Sequence, residues 1–327
     1  MQQSRADRSP RNGRQSGSSH VAASTTDKPA KPARHRERVH IGTSGWHYKH
    51  WVGSFYPEGM QDVAFLGWYA DHFPTVEINN TFYRLPDPET PAGWSAGTPP
   101  GFVFACKASR YITHMKKLKD PKDATARFFG TAKKLGGKLG PMLFQLPPRW
   151  RANAARLAEF LGALPSSHRY AFEFRDESWY TPEIFRLLER HGAALCIHDL
   201  EGLASPVEAT APFTYIRLHG PDGAYRGRYD DETLQTWARR IHRWRRAGLD
   251  IYCYFNNDIG GHAPRDAMRL AEALGTKPAT PGRASKPSRS KAAGDPSPAR
   301  RQRTRPKAST QRRAHSQKST AASSSRR

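Results

Sequence analysis

Eight short apolar or alternating runs recur along the chain and predict strands: His40–Ser44, Thr75–Asn79, Phe102–Lys107, Met142–Leu146, Tyr170–Phe174, Ala194–Asp199, Thr214–His219 and Ile251–Asn256. Aromatic and β-branched residues dominate them, and Gly, Pro or polar residues bound most of them. Helical spacing fills the intervals. Asp62–Asp71 sets Val63, Leu66, Trp68 and Tyr69 near one side, and Asp123–Lys134 runs into a stop at Gly136–Gly137. Asn153 caps a segment carrying Leu157, Phe160 and Leu161. Thr181-Pro182 has the form of an N-cap followed by Pro at the first helical position, ahead of Ile184, Phe185, Leu187 and Leu188. Asp230–Arg246 repeats Leu234, Trp237, Ile241 and Trp244, and Pro264–Leu274 closes the series with Met268, Leu270 and Leu274.

Strands alternating with helices imply βαβ units and a parallel sheet. Eight of them favour a closed (β/α)8 TIM-type barrel. The rival, an open doubly wound sheet, usually carries a Gly-rich phosphate loop after its first strand, whereas Ser44-Gly45-Trp46 follows here. Pro86, Pro88, Pro91, Pro99 and Pro100 predict irregular loops around strands two and three in place of a full helix.

Composition divides the chain into three. Of the formal net charge of +24, +6 belongs to residues 1–38 and +14 to residues 276–327, leaving +4 for residues 39–275. All Trp, Phe and Tyr lie in that middle segment, whose length is near the roughly 250 residues usual for an eight-fold α/β barrel. The flanking segments are rich in Ser, Ala, Pro, Lys and Arg and lack large apolar side chains, so the expectation is two disordered basic tails. Cys106, Cys196 and Cys253 are widely spaced within predicted strands, which argues against a disulfide framework or a zinc cluster and for a reducing, cytoplasmic setting. No run approaches the roughly 18 apolar residues of a membrane span, and the N-terminus has no apolar signal-peptide core.

In such barrels the site forms at the C-terminal strand ends. Those ends deliver Ser44 with Trp46, Tyr48 and Trp51 behind it, then Glu77 and Asn79 with Thr81 and Tyr83 of the same parity. Lys107 follows, with Arg110 and His114, then Gln145, Glu173 and Arg175, His198-Asp199, Arg217 and His219, and Tyr254, Asn256, Asn257 and Asp258. Burying so many charges is costly unless they pair, and pairing Glu173 with Arg175 or Arg217 and Glu77 with Lys107 would make them structural support. The alternative is a polar, cationic pocket.

Seven segments also resemble, in order, the domain of unknown function 72 family, the YecE-like proteins: Thr43–Tyr56, Val76–Arg84, Lys107–His114, Leu139–Pro148, Glu173–Trp179, Tyr215–Gly220 and Tyr254–Asp258. The resemblance implies a TIM-type barrel and brings no reaction with it. Two departures from the family pattern fall at the last strand-to-helix loop: Gly260-Gly261-His262-Ala263, where an aromatic more often precedes the Ala, and Asp266, where Asn is usual.

Four chemistries are compatible with these residues. An enzyme or binder for an anionic, phosphate-containing or nucleotide-like ligand would use Lys107, Arg110, Arg175 and Arg217 as cations, with His114 and His219 as donors. Trp46, Tyr48, Trp51, Phe82 and Tyr83 would stack a base or sugar, although core packing better suits Trp51 and Phe55. Glu77 or Glu173 would serve as base and His219 as acid in phosphoryl transfer or phosphodiester hydrolysis, while Asn79, Gln145, Asp199, Asn256 and Asp258 complete the pocket. A carbohydrate-active enzyme would pair Glu77 with Glu173 over Trp46, but strands two and five are far apart around a ring. Metal-assisted hydrolysis has the right ligand types and no compact spacing such as HExxH, so no metal or other cofactor is assigned. Finally, the basic tails could hold nucleic acid by its phosphate backbone without any reaction.

Overall fold

The computed structural model describes residues 38–200 and 202–276, so the expected tails, apart from Arg38 and Thr276, lie outside the described residues. Eight parallel strands form one sheet: β1 (Val39–Thr43), β2 (Thr75–Ile78), β3 (Val103–Lys107), β4 (Leu139–Gln145), β5 (Tyr170–Glu173), β6 (Ala194–His198), β7 (Phe213–Leu218) and β8 (Asp250–Phe255). From β2 to β8 each strand pairs with the next in chain order, and β8 returns to pair with β1. The ring shuts between β1 and β2 through a bridge from Ser44 to Glu77, in which the Gly45 N–H donates to the Glu77 carbonyl at 2.8 Å. Lower in the same seam a tyrosine replaces direct strand pairing. The Tyr69 hydroxyl accepts from the Thr43 N–H (2.8 Å) and donates to the Thr75 carbonyl (3.0 Å). Gly42 permits this approach, because a Cβ there would sit 2.2 Å from the Thr75 carbonyl oxygen.

The helices are α1 (Phe65–His72), α2 (Asn80–Tyr83), α3 (Glu89–Ala96), α4 (Pro121–Ala132), α5 (Ala154–Ala163), α6 (Pro182–Arg190), α7 (Asp231–Arg246) and α8 (His262–Ala273). The expected caps form. Asn153 accepts from the Arg156 N–H at 2.8 Å and Thr181 from the Ile184 N–H, while Asp230 caps α7 through the Thr233 N–H at 2.7 Å. Irregularity falls where the prolines placed it. Two short helices fill the β2-to-β3 connection, and a π-type turn (Tyr111–Met115) with left-handed Lys117, Leu118 and Asp120 precedes α4.

Two apolar expectations fail for reasons of phase. Val63 is 87% exposed, because Asp62–Ala64 is a 3-10 turn and the α-helix begins only at Phe65, which with Tyr69 faces the core. Met268 is half-exposed, since the buried stripe of α8 runs through Ala263, Ala267 and Leu270. The larger core lies between sheet and helices. A smaller one fills the barrel, with Ala105, Leu143, Ala171, Ala194 and Cys196 facing Phe213, Tyr215, Tyr252 and Tyr254.

Candidate functional site at the barrel mouth

Side chains alternate across a strand, so the residue two positions beyond an inward one also faces inward. Two beyond Ala105, Leu143, Ala171, Cys196, Tyr215 and Tyr254 stand Lys107, Gln145, Glu173, His198, Arg217 and Asn256. The layer just below the mouth is therefore largely apolar, and the C-terminal end, where the strands open onto the loops, is polar.

Arg217 is the hub of this polar layer. Its side chain is 1% exposed, and its two terminal nitrogens reach opposite walls: Nη2 donates to Glu77 Oε1 (2.8 Å) and Nη1 to Glu173 Oε2 (2.6 Å). Glu77 has its remaining capacity filled by the Ser44 hydroxyl on Oε1 (2.6 Å) and the Tyr215 hydroxyl on Oε2 (2.6 Å). Glu173 takes a second guanidinium, that of Arg175, on Oε1. Burial alone would raise the Glu173 carboxyl, but Arg175 and Arg217 outweigh it and hold the group well below its usual range. Burial likewise opposes charge on Arg217, and Glu77 and Glu173 keep it raised and ionised.

Strands two and five were expected to keep their carboxylates apart. The Arg217 side chain spans the barrel and brings both to one guanidinium. The pairing of Glu77 with Lys107 does not form; Arg217 takes that place.

His219 sits above Glu173. Burial, then Arg217, pushes its imidazole well down, so the ring is neutral at pH 7. Arg175 Nη2 lies 3.3 Å from Nε2 and Asn256 Nδ2 lies 3.0 Å from Nδ1, so both ring nitrogens face N–H donors and the neutral ring can accept from one of them. The backbone of His219 is fixed by Asp199, which accepts its N–H at 2.6 Å and takes the Tyr229 hydroxyl on its other oxygen. Burial raises the Asp199 carboxyl.

The remaining expected residues are spread more widely. Lys107 is half-buried with its ammonium 4.4 Å from the Phe82 ring centroid. Burial, then Arg217, lowers its pKa to about 8. His114 meets the same Phe82 ring edge-on at 5.1 Å and is lowered by burial and by Lys107. Asn79 leaves its buried Oδ1 without a partner. Gln145 lies beside Glu173 in register. Tyr48 is half-buried with its hydroxyl on the Ser44 carbonyl (2.7 Å). Trp46 is 8% exposed and edges against Trp94, lining a separate cleft of about 840 Å³ beside the rim. Arg110 and Tyr83 are exposed, and Asp258 is half-buried near His50. The parity that grouped Glu77 with Tyr83 fails because the chain turns into α2 at Asn80. Trp51 and Phe55 pack in the core as expected.

Sequence reasoning missed Tyr215 and Tyr229. Tyr215 was reachable, since it shares the inward parity of Arg217; Tyr229 comes from the loop ahead of α7, where no periodicity points inward. Among the described residues no group of three or more His, Cys, Asp or Glu side chains is placed to hold a metal ion. No helix among them is long and apolar enough to cross a membrane.

A closed parallel ring whose helices pack outside and whose charged layer opens at the C-terminal strand ends defines a TIM-type barrel protein. Residues 40–291 match the family model described as protein of unknown function DUF72, and the chain belongs to that family. It is 26% identical to the UPF0759 protein YunF of Bacillus subtilis over 72% of this chain and 94% of that one. It is 25% identical to the UPF0759 protein YecE of Escherichia coli K12 over 74% and 97%. The crystal structure of a DUF72 family protein from Thermotoga maritima MSB8 superposes with a TM-score of 0.66 at 29% identity, covering 73% of this chain and all of that one. One from Enterococcus faecalis V583, at 20% identity and a TM-score of 0.62 over 72% and 95%, shares the fold.

Proposed function

We propose that the barrel mouth binds a small anionic ligand, phosphate-containing and nucleotide-like, held by Lys107 and Arg175 with Arg110 at the entrance. The observation that supports this is an unpaired cation. Arg217 and Arg175 take Glu77 and Glu173, and no carboxylate stands within ion-pairing distance of Lys107 among the described residues. An uncompensated charge in a low-dielectric site is costly, and a bound anion removes the cost. Phosphate suits a guanidinium, and Nη1 of Arg175 has no hydrogen-bonded partner among the described residues, Nε going to Glu173 and Nη2 to Glu173 and His219. Glu77 is poorly placed as a base, because its oxygens are already engaged by Ser44, Tyr215 and Arg217. The same full engagement leaves the carbohydrate reading of Glu77 and Glu173 without a free carboxylate to support it.

Calorimetric titration with inorganic phosphate and with a nucleoside monophosphate tests the proposal. Both are expected to bind, and Lys107→Met is expected to weaken them at least about tenfold, about 1.4 kcal/mol. Absence of heat from either ligand at millimolar concentration contradicts it. Contact of the basic segments 1–38 and 276–327 with nucleic acid is a separate proposal, supported by their share of the +24 charge, and deleting them is expected to abolish salt-sensitive binding to DNA. A cytoplasmic location belongs to the same reading, as all three thiols are free and buried.

A further inference from the structure

We propose that Lys107 is a nucleophile that forms an imine with the carbonyl group of a small anionic aldehyde or ketone, with His114 carrying the protons. The anionic half of that substrate rests on the reading of the mouth given above; the imine does not.

The geometry sets Lys107 apart from the other lysines. Lys116 is tied to Asp120 at 2.8 Å, and Lys138 donates to the carbonyls of Ser95 and Thr98. Lys107 occupies the last position of a barrel strand, and its backbone is pinned by the Thr81 hydroxyl, which donates to its carbonyl at 2.6 Å. Its ammonium rests on one aromatic face with no hydrogen-bonded acceptor among the described residues. Phe82, the ring beneath it, is also the ring that His114 meets edge-on. An amine and a neutral imidazole thus share one apolar support at the mouth. Thr113 engages His114 Nδ1 at 2.9 Å, which leaves Nε2 to move protons.

Burial and the neighbouring cations keep a fraction of the amine unprotonated near neutral pH. Burial acts first, then Arg217 of β7; Glu173 of β5 and Glu77 of β2 oppose them, and Arg175 beyond β5 adds to the lowering. Arg110 and His114, from the loop after β3, face the same region. Desolvation and a neighbouring cation are the two means by which proteins make a lysine nucleophilic.

The step balances without any further reagent. The Nζ lone pair attacks the carbonyl carbon, a C–N bond forms, and the carbonyl π pair moves to oxygen. His114 relays the two amine protons to that oxygen, which leaves as water as the C=N bond forms. With the amine so committed, Arg175 and Arg110 remain for the substrate's anionic group.

The test treats the full chain with glycolaldehyde phosphate or glycolaldehyde at pH 8, reduces the adducts with cyanoborohydride, and maps them by peptide mass. Lys107 is expected to be labelled at least tenfold faster than exposed Lys117 and Lys119, faster by the phosphorylated probe, and more slowly in His114→Ala. The rate should rise with pH about a midpoint near 8. Equal labelling of Lys107 by both probes would keep the imine and remove the anionic half. Labelling of Lys107 no faster than the surface lysines overturns the imine, whatever the phosphate titration shows. If Lys107→Met fails to fold, the relative rates within the native chain still decide the matter.

Discussion

The two ends of the barrel treat charge in opposite ways. At the N-terminal floor, Asp250 is 3% exposed and meets Arg169 at 2.7 Å and the Arg38 N–H at 3.0 Å. Arg169 also donates to the Tyr252 hydroxyl at 2.8 Å, and Tyr252 stacks on a buried His40 whose pKa burial lowers to about 4. Cation meets anion there, and the histidine stays neutral. At the mouth the same kinds of residue leave one cation over. A floor of matched charges needs nothing further to be stable, whereas Lys107 at the mouth has no ion-pair partner among the described residues, a cost that the proposed anion or the loss of its own proton would relieve. The Glu77–Arg217–Glu173 bridge lies between them and is charge-paired like the floor: both carboxylates meet the terminal nitrogens of Arg217, whose buried Nε has no partner among the described residues, and the bridge links opposite walls.

Breaking that bridge gives the largest expected effect. Arg217→Leu leaves two carboxylates buried without their shared cation and should cost about 3–5 kcal/mol in urea unfolding. A loss below about 1 kcal/mol would show that the bridge does not hold the walls. Next comes acid. His40 is neutral in the fold and titrates near 6.5 when unfolded, so the unfolded chain binds the extra proton first. Stability is full above about pH 6.5 and falls as pH drops toward 4. His40→Phe should flatten that limb by an amount on the order of 1–3 kcal/mol, seen in melting temperature against pH. Asp250→Asn, which removes the floor's countercharge to a partly exposed Arg169, should cost roughly 1–2 kcal/mol. The smallest effect has the opposite sign. Lys107→Met should stabilise the ligand-free protein by up to about 1 kcal/mol at pH 7. That advantage should shrink between pH 8 and 10.5, as the wild-type amine loses its proton in the folded state before it would in the unfolded one.

Much of the barrel was legible because period and position suffice for it. The alternation in Thr214–His219 and Tyr170–Phe174 points Arg217 and Glu173 inward, and their place at the strand ends puts them at the mouth. The partners were not legible. Whether Glu77 meets Lys107 or Arg217 depends on how far each side chain reaches across the ring, and Arg217 spans from β7 to both β2 and β5. Loops hid the rest: Tyr229 reaches Asp199 from outside any strand, and α2 turns Tyr83 to solvent where an extended chain would have turned it inward. Asp266 is buried against the Tyr229 N–H, Asn257 and Arg269. Its carboxylate is met by the Arg269 cation at 2.7 Å, beneath the last loop of the mouth.

Lys107 at the mouth carries a charge with no ion-pair partner among the described residues, and the titration of its amine reads that charge directly. Competitive acetylation followed across pH should give a midpoint near 8 in the free protein and a higher one with saturating phosphate. A midpoint near the ordinary lysine value of about 10.4, unmoved by phosphate, would contradict it.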